Sequence, residues 1–252
     1  ANWNSSIRYQ GTPGDGIGRA PAVVINEVLA HSDLPLEDAI ELHNLSQVAV
    51  DIGGWFLSDS ANNLRKYRIP DDTTISPGGY VVFYEQSFLT ENGDSGFSLS
   101  SARGDEVWLT EVDLDGAPAR FADKIDFGPS ANGVSLGRFP DGTGPFVAMV
   151  DLSLGSPVRA GQHPSLTASF RAGKGAPNTG PLVGPVVISE IMYAPVEGFA
   201  EYVVLKNISD VTVPFFDPAN PSNTWELANA IEFTFPPGFM LPAGESLFVG
   251  GV

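Results

Sequence analysis

The sequence contains no cysteine among its 252 residues. This absence excludes disulfide bridges, thiolate metal ligands and a cysteine nucleophile. Long apolar runs are lacking as well, since no stretch approaches the roughly 18 uninterrupted apolar residues that a membrane span needs. We therefore expect no insertion into a membrane.

Basic residues are few. The chain has 13 Lys and Arg residues against 30 Asp and Glu residues, which gives a formal net charge of −17. A protein of this charge repels the phosphate backbone, so we expect no nucleic-acid partner. The acidic residues are scattered singly and in pairs, a pattern typical of a solvated surface.

Helical patterns are absent too, because no segment keeps a 3.6-residue apolar period over ten or more positions. Instead, 28 glycine and 21 proline residues separate short runs rich in Val, Ile, Phe, Tyr and Thr. In the first part of the chain the predicted strands are AVVINEVL at 22–29, DAIELHN at 38–44, GWFLSD at 54–59, RKYRIP at 65–70, GYVVFYE at 79–85, DEVWLTEV at 105–112, ARFADKIDF at 119–127, GVSLGRF at 133–139 and PFVAMV at 145–150. The sequence therefore predicts an all-β sandwich.

Several of these runs alternate between apolar and polar residues. Ile40 and Leu42 alternate with Glu41 and His43, and the run at 119–127 alternates in the same way. Such alternation predicts strands with one buried and one solvated face. We therefore expect Glu41 and His43 on the solvated face.

A repeat runs through the chain. Its paired segments are VVINEV at 23–28 with VVISEI at 186–191, LHNLSQVAV at 42–50 with LKNISDVTV at 205–213, and RIPDDTTISPGGYVVFY at 68–84 with TFPPGFMLPAGESLFVG at 234–250. The first two pairs lie 163 residues apart and the third 166, because FFDPANPSNT lengthens the loop before Trp225. The pattern predicts a tandem repeat of one β-module.

The repeat sets the expected domain boundaries. Residues 1–21 are predicted to be the end of a preceding domain or a linker, 22–157 a β-sandwich, 158–184 a Gly/Pro-rich linker, and 185–252 the first half of a second sandwich. Because half a sandwich leaves open strand edges, we expect the second copy to associate with the first domain or with another chain. The ends of the sequence lead us to expect a piece of a longer polypeptide.

The motifs suggest a family. VVINEVLAH, DAIELHN, VAVDIGGWFLSD, ISPGGYVVFYE and GVSLGRFPDGTGPF follow one another in the first copy. In this order they resemble the lamin-tail domain, and the second copy is similar to its bacterial branch. The resemblance implies an immunoglobulin-like, non-catalytic building block of a large secreted or cell-surface bacterial protein. The DNA contacts of lamin tails are not expected here, because the net charge is −17. In addition, Glu41 is replaced by Val204 in the second copy, which favours a structural role for this carboxylate.

One motif points to an enzyme. GVSLG at 133–137 fits the G-x-S-x-G nucleophile elbow of hydrolases, with Ser135 as nucleophile. An elbow requires a helix after the second glycine, yet GRFPDGTG follows, where Pro140 and the turn glycines end any helix. Of the histidines, only His163 lies downstream. A hydrolase using Ser135 is thus a remote alternative, and we expect no catalytic site.

Metal sites are weakly supported. Calcium prefers carboxylates and turn carbonyls, and the densest clusters are Asp113 with Asp115 and Glu91 with Asp94. The D-x-D-G pattern is equally typical of a hairpin turn. Weak calcium binding therefore stays open as the single cofactor prediction.

Histidine and aromatic residues suggest two further sites. A metal site at His31 and His43, with Asp33 or Asp38 nearby, lacks any recognised ligand spacing. Alternation places Trp108 on the face opposite to its neighbours, where it would form a sugar-binding platform with Tyr80 or Tyr84. A buried tryptophan between the sheets is the more ordinary outcome.

The sequence thus favours a non-catalytic spacer, scaffold or binding unit at an extracellular or cell-surface location, with an unidentified protein or glycan as partner. The alternative is a calcium-dependent or carbohydrate-binding adhesion domain, in which the turn carboxylates and exposed aromatic rings would supply the affinity.

Overall fold

The computed structural model describes residues 21–90, 96–154, 166–228 and 231–250. The chain divides into two compact units, Ala1–Leu182 and Val183–Val252. The strands of the first unit are β1 Val23–Leu29, β2 Ala39–Asn44, β3 Val50–Asp51, β4 Phe56–Ser58, β5 Tyr67–Arg68, β6 Thr74–Ile75, β7 Tyr80–Tyr84, β8 Asp105–Val112, β9 Pro118–Phe127, β10 Leu136–Arg138 and β11 Phe146–Ala148, and its short helices are α1 Glu85–Thr90 and α2 Thr167–Phe170. No helix of the described residues is long and apolar enough to cross a membrane.

Two sheets form the sandwich of the first unit. One has the strand order β11-β10-β1-β2-β7, the other has the order β5-β4-β8-β9, and β3 pairs separately with β6. All neighbouring strands are antiparallel. Eight of the nine predicted runs contain a whole strand, and the run at 119–127 covers all of β9 except Pro118, so the predicted all-β sandwich is confirmed.

The core lies between the two sheets. The five-stranded sheet contributes Val23, Ile25, Val28, Ile40, Leu42 and Phe83, and the four-stranded sheet contributes Leu57, Tyr67, Val107, Leu109, Ile125 and Phe127. In β9 the predicted alternation is confirmed: Ile125 and Phe127 are buried, whereas Lys124 and Asp126 are exposed. The outer face of the four-stranded sheet is thus the solvated one along this strand.

The opposite face of the five-stranded sheet is also buried. All six residues of β2 are buried, including Glu41 and His43, so the prediction that these two side chains are solvated was wrong. His43 is buried because it stacks on Tyr80 and lies against the loop that contains Asp141 and Gly142. Glu41 is buried because residues 166–182, here called the return segment, cross this face. Phe170 of α2 completes a second apolar cluster there, together with Leu29, Leu36, Ala39, Leu152 and Leu154.

The return segment differs from the linker predicted at 158–184. The return segment is held against the sandwich of the first unit. Arg171 forms an ion pair with Glu37, Pro181 pairs with Met149, and the Leu182 amide donates to the Ala148 carbonyl at 2.6 Å. A chain that lies on a sheet face without joining the sheet needs no alternating pattern. The Gly/Pro-rich composition of the return segment therefore resembles that of a linker. Residues 158–165 lie outside the described residues.

A buried asparagine organises the end of β2. The Asn44 side-chain amide donates to the carbonyl oxygens of Val48 at 2.8 Å, Ile75 at 2.9 Å and Ser76 at 3.1 Å. Its Oδ1 accepts from the Ser46 amide at 2.9 Å and from the Ser46 hydroxyl at 2.7 Å. Asn44 thereby ties the turn after β2 to the end of β6.

The second unit has its own strands and core. Its strands are β12 Val186–Met192, β13 Tyr202–Asn207, β14 Val213–Pro214, β15 Phe216–Asp217, β16 Asn220–Thr224, β17 Glu226–Leu227, β18 Phe233–Thr234, β19 Met240–Leu241 and β20 Ser246–Gly250. They form a sheet of order β12-β13-β20 and the pairs β14-β19, β15-β16 and β17-β18. The core contains Val203, Leu205, Val213, Phe215, Phe235, Leu241 and Val249.

The second unit repeats structural details of the first. A β-bulge interrupts the pairing of β12 with β13 between Ile188 and Glu190, as one does between Ile25 and Glu27. The predicted insertion before Trp225 forms the hairpin β15-β16.

Asn207 ends β13 as Asn44 ends β2. Its side-chain amide donates to the carbonyl oxygens of Val211 at 2.8 Å, Leu241 at 2.9 Å and Pro242 at 3.0 Å. Its Oδ1 accepts from the amide and hydroxyl of Ser209. Both asparagines are fully buried, which explains the N-x-S pattern at the two turns as a structural feature.

Candidate functional site

Three acidic residues meet on the face of the five-stranded sheet that the return segment covers. Glu27 of β1 lies directly opposite Glu41 of β2, and Asp141, from the loop between β10 and β11, accepts from the same Asn26 side-chain amide as Glu41. Like charges opposite each other destabilise a strand pair. We call the three carboxyl groups and their hydrogen-bond partners the acidic network.

Glu27 is fully buried and hydrogen-bonded by two serines. Its carboxyl oxygens accept from the hydroxyls of Ser135 and Ser153 and, at 3.2 Å, from the Ser153 amide. Burial raises the pKa of Glu27 to about 7, although these hydrogen bonds act in the opposite direction. The carboxyl group is therefore largely protonated below neutral pH.

Glu41 connects the sheet to the return segment. It accepts from the Asn26 side-chain amide at 2.8 Å and from the Ala176 backbone amide at 3.2 Å. Burial, followed by the nearby charge of Glu27, raises the pKa of Glu41 to about 9. Gly175 lies against this carboxyl group, and a Cβ added there would be 2.2 Å from Glu41 Oε2, at a φ of +87°. A glycine is required at this position for both reasons.

Asp141 accepts hydrogen bonds from three directions. They come from the Asn26 side-chain amide at 3.1 Å, the Tyr80 hydroxyl at 2.8 Å and the Asn178 backbone amide at 2.9 Å. His43 stacks on Tyr80 with 4.2 Å between ring centroids, and its Nδ1 lies 3.5 Å from Asp141 Oδ2. Burial lowers the pKa of His43, so the ring is neutral at pH 7.

Asn178 holds the return segment over the network. Its side-chain amide donates to the carbonyl oxygens of Asn26 at 3.1 Å and Arg138 at 2.9 Å, and its Oδ1 accepts from the Ser153 hydroxyl at 3.0 Å. Gly137 of β10 makes room for it, because a Cβ there would be 2.7 Å from Asn178 Nδ2. One buried side chain thus joins β1, β10 and the segment after β11.

Raised pKa values often mark functional sites. Here, however, Glu27, Glu41 and Ser135 are each 0% exposed, so no substrate reaches them. Their side chains form hydrogen bonds with residues that are distant in the sequence but adjacent in the fold. The arrangement is suited to fastening chain segments to one another. The second unit differs here, because Glu190 is exposed and accepts from the Tyr202 hydroxyl at 2.5 Å.

The structure does not place Ser135 in a nucleophile elbow. Ser135 precedes the three-residue strand β10, and the chain then turns through residues 140–144 into β11. Its hydroxyl donates to Glu27 in the buried network. His31 and His43, the histidines within the described residues, both have other contacts, and His163 lies outside them.

Of the two predicted calcium clusters, one lies within the described residues and the other lies outside them. Asp113 and Asp115 lie in the exposed β8-β9 turn, where Asp113 Oδ1 accepts from the amides of Asp115 at 3.0 Å and Ala117 at 2.9 Å. Glu91 and Asp94 lie outside the described residues. Within the part of the chain that the structure describes, no three His, Asp or Glu residues are grouped as metal ligands.

The structure does not bring His31 and His43 together. His31 follows the end of β1, whereas His43 lies at the far end of β2, opposite Val24. His31 Nδ1 is 3.0 Å from the Ser130 carbonyl oxygen. The nearby acids are also engaged elsewhere, since Asp33 accepts from Asn132 and Asp38 accepts from Ser32 at 2.7 Å.

Trp108 lies half-buried on the outer face of the four-stranded sheet. Its neighbours Val107 and Leu109 point into the core, so Trp108 is not the tryptophan buried between the sheets that the sequence favoured. The Lys124 ammonium lies over the indole, 4.8 Å from the ring centroid, and therefore covers part of that face. Tyr80 and Tyr84 belong to the other sheet, so the predicted platform does not form.

Part of the chain is similar to a known domain family. Residues 19–118 match the family model described as Lamin Tail Domain. The match runs from just before β1 to the first residue of β9. This is an immunoglobulin-like, non-enzymatic family of modules, and the first unit is accordingly an immunoglobulin-like β-sandwich. No curated protein and no solved structure matches the chain.

Proposed function

We propose that the chain carries two copies of one lamin-tail-type β-sandwich and acts as a non-catalytic spacer, scaffold or binding unit of a large secreted or cell-surface bacterial protein. The observation that carries the proposal is that polar residues of the acidic network are buried and hydrogen-bonded to other parts of the fold. The residues best suited to catalysis by their chemistry, Glu27, Glu41 and Ser135, are fully buried. Their side chains hold segments of the fold together instead. A spacer needs stable modules of this kind.

The tandem arrangement is supported by the two asparagines. Asn44 and Asn207 each donate to three carbonyl oxygens, and the donors and acceptors correspond residue by residue across the two units. The Ile25/Glu27 bulge has its counterpart at Ile188/Glu190. Such details follow from a shared scaffold rather than from composition.

The fastened return segment supports the spacer role. β12 begins four residues after Leu182, which is itself bonded to β11 through the Ala148 carbonyl. The free length of chain between the units is therefore short. A short connection limits the range of distances that a linker samples.

A calcium titration decides between this role and calcium-dependent adhesion. We expect the melting temperature to be the same in millimolar calcium and in excess chelator, because Asp113 satisfies its own turn. Binding at a hundred times the dissociation constant adds about 2.7 kcal/mol, which a melt resolves. A rise of several degrees that magnesium does not reproduce would contradict the spacer role and favour adhesion.

A glycan array tests carbohydrate binding, with Trp108→Ala as the matched variant. We expect neither protein to give a signal, because Lys124 covers the ring. A signal that the variant loses would overturn this expectation.

An esterase assay with Ser135→Ala as control tests the hydrolase alternative, and we expect both proteins to be inactive.

A further inference from the structure

The Ser153 hydroxyl lies between two acceptors. It is within hydrogen-bond distance of Glu27 Oε2 and, at 3.0 Å, of Asn178 Oδ1. A hydroxyl has one hydrogen, so it donates one linear hydrogen bond at a time. Both bonds form together when Glu27 carries a proton and donates it to the Ser153 oxygen, which leaves the Ser153 hydrogen for Asn178. The bond that Asn178 accepts therefore depends on a proton at Glu27.

The backbone of the return segment covers Glu41. This side chain is 0% exposed, and the Ala176 amide donates to its Oε2 at 3.2 Å. Gly175 approaches the same oxygen so closely that a Cβ there would be 2.2 Å from it. A buried charge is costly unless water or a cation reaches it. Water reaches an ionised Glu41 when Gly175 and Ala176 move away.

No cation neutralises the two carboxyl groups. The ion pairs among the described residues include neither Glu27 nor Glu41. The charged and titratable side chains on the elements around them are Arg138, paired with Asp123; Arg171, paired with Glu37; the exposed Lys174; Asp141; His43; and the Tyr80 and Tyr84 hydroxyls. Protons are thus what neutralises the pair, and coupled groups of this kind titrate together.

The part of the return segment above the pair is separable from the core. Residues 171–178 contribute no side chain to the apolar clusters of the first unit, whereas Phe170 does. Their contacts with the sandwich are the polar ones of Arg171, Ala176 and Asn178. Losing these contacts leaves the apolar packing between the two sheets in place.

We propose that Glu27 and Glu41 form a pH-sensitive latch, which holds residues 171–178 on the sheet while protons are bound and releases them, with the sandwich still folded, when the protons are lost. Ionisation of the pair withdraws the Ser153 hydrogen from Asn178 and places charge beneath Gly175 and Ala176. Release lengthens the free chain between the two units. The inference therefore rests on the proposed spacer role and adds its regulation.

The direction of the effect follows from the titration of the pair. Burial raises the pKa of Glu27 to about 7 and that of Glu41 to about 9. The protons stabilise the closed latch fully at low pH, and this contribution is lost as the pH rises through the raised pKa values. The latch is therefore closed at neutral pH and opens toward pH 9.5.

Trypsin cleavage after Lys174 reports the state of the latch. The full chain is digested at pH 7.0 and at pH 9.5, and each rate is divided by that of a synthetic peptide of residues 166–182, which corrects for the pH dependence of trypsin. We expect the normalised rate of the wild type to rise about tenfold or more. Cleavage after Lys124, within β9, should not rise, because the sandwich stays folded.

Three variants test the roles of the side chains. Glu41→Gln leaves one carboxyl group in the network, so its normalised rate should change less than about threefold. Ser153→Ala removes the hydrogen from Asn178 at every pH, so it should be cut faster than the wild type already at pH 7.0. The exposed Glu245→Gln, in the second unit, removes one acidic group elsewhere and should behave like the wild type.

The spacing of the units is measured separately. Because the chain has no cysteine, introduced cysteines in Asn62→Cys and Ile208→Cys carry one spin label on each unit, at exposed positions. We expect the distribution of distances between the labels to be broader at pH 9.5 than at pH 7.0.

The latch is overturned by a normalised rate that is equal at both pH values in the wild type, or by an equal rise in Glu41→Gln. A parallel rise of cleavage after Lys124 also overturns it, since the whole sandwich would then open. Faster cleavage after Lys174 with an unchanged distribution of label distances would instead contradict the spacer role on which the inference rests.

Discussion

Glu27 of β1 pairs with Glu41 of β2 across the two strands, on the sheet face that the return segment covers. Burial raises the pKa of both carboxyl groups, so the fold binds protons that the unfolded chain releases. The acidic network therefore holds the return segment in place and makes the stability of the fold depend on pH.

The first prediction concerns pH. The pKa values of Glu27 and Glu41 are raised to about 7 and about 9 in the folded state. Their stabilisation is fully present below the unfolded pKa and is lost as pH rises through the folded pKa. We expect the free energy of unfolding to fall by about 4 kcal/mol between pH 6.5 and pH 9, mostly through Glu41, given 1.36 kcal/mol per pH unit for each proton that only the folded state binds.

Urea unfolding of the wild type and of Glu41→Gln measures this effect. The variant removes one ionisable group but keeps an acceptor for Asn26, so its stability should vary less with pH. His43 acts in the opposite direction near the lower end of this range, because burial lowers its pKa and its contribution to stability therefore rises with pH. Equal slopes for both proteins would show that Glu41 does not titrate in this range.

The second prediction concerns Asn178. Asn178→Ala leaves the carbonyls of Asn26 and Arg138 without this donor, at a cost of about 2–4 kcal/mol for the first unit. The neighbouring exposed Thr179 has one long side-chain hydrogen bond of 3.3 Å, so Thr179→Ala should change stability by less than about 0.5 kcal/mol. Urea unfolding measures both, and similar values would contradict a central role for Asn178.

The third prediction separates the two units. Asn44→Ala should destabilise the first unit and Asn207→Ala the second, each by about 2–3 kcal/mol, because several carbonyl oxygens lose a buried donor. Hydrogen exchange with mass spectrometry assigns each effect to β2 or β13. The exposed Asn62→Ala serves as control and should have no effect. Loss of protection in both units from either substitution would contradict independent units.

The fourth prediction uses two glycines with positive φ. A methyl group at Gly175 would meet Glu41 Oε2 at 2.2 Å, whereas nothing lies within 4 Å of the corresponding position at Gly116. Gly116→Ala should cost only the left-handed backbone penalty of about 1–2 kcal/mol. Gly175→Ala should cost clearly more, because steric overlap is added. Equal melting temperatures for the two variants would mean that the return segment does not press on Glu41.

Much of the sandwich was predictable from the sequence, because alternation and turn residues are local signals. The run DEVWLTEV coincides with β8, and Ile125 and Phe127 point inward as predicted. The acidic network was not predicted. Ser135, Ser153 and Asn178 lie more than 100 residues from their partners on β1, and no local pattern reports such contacts.

One signal of the network was present in the sequence. Glu27 stands in the run VVINEVL, where apolar residues on both sides indicate a strand buried on both faces. The burial of Glu41 was missed because the return segment that covers it has no strand pattern, and the burial of His43 was missed because Tyr80 and the loop containing Asp141 cover it. A polar residue within a continuously apolar strand is thus a better indication of a buried network than alternation is of a solvated face.

The fastening of the return segment is tested most directly by trypsin. Arg171 and Lys174 are cleavage sites within it, and the backbone around them is held by the Arg171–Glu37 ion pair and the Ala176–Glu41 hydrogen bond. We predict that the native chain resists cleavage after Lys174, and that Asn178→Ala is cut there at least tenfold faster. Rapid cleavage after Lys174 in the native wild type would show a free linker and contradict the account.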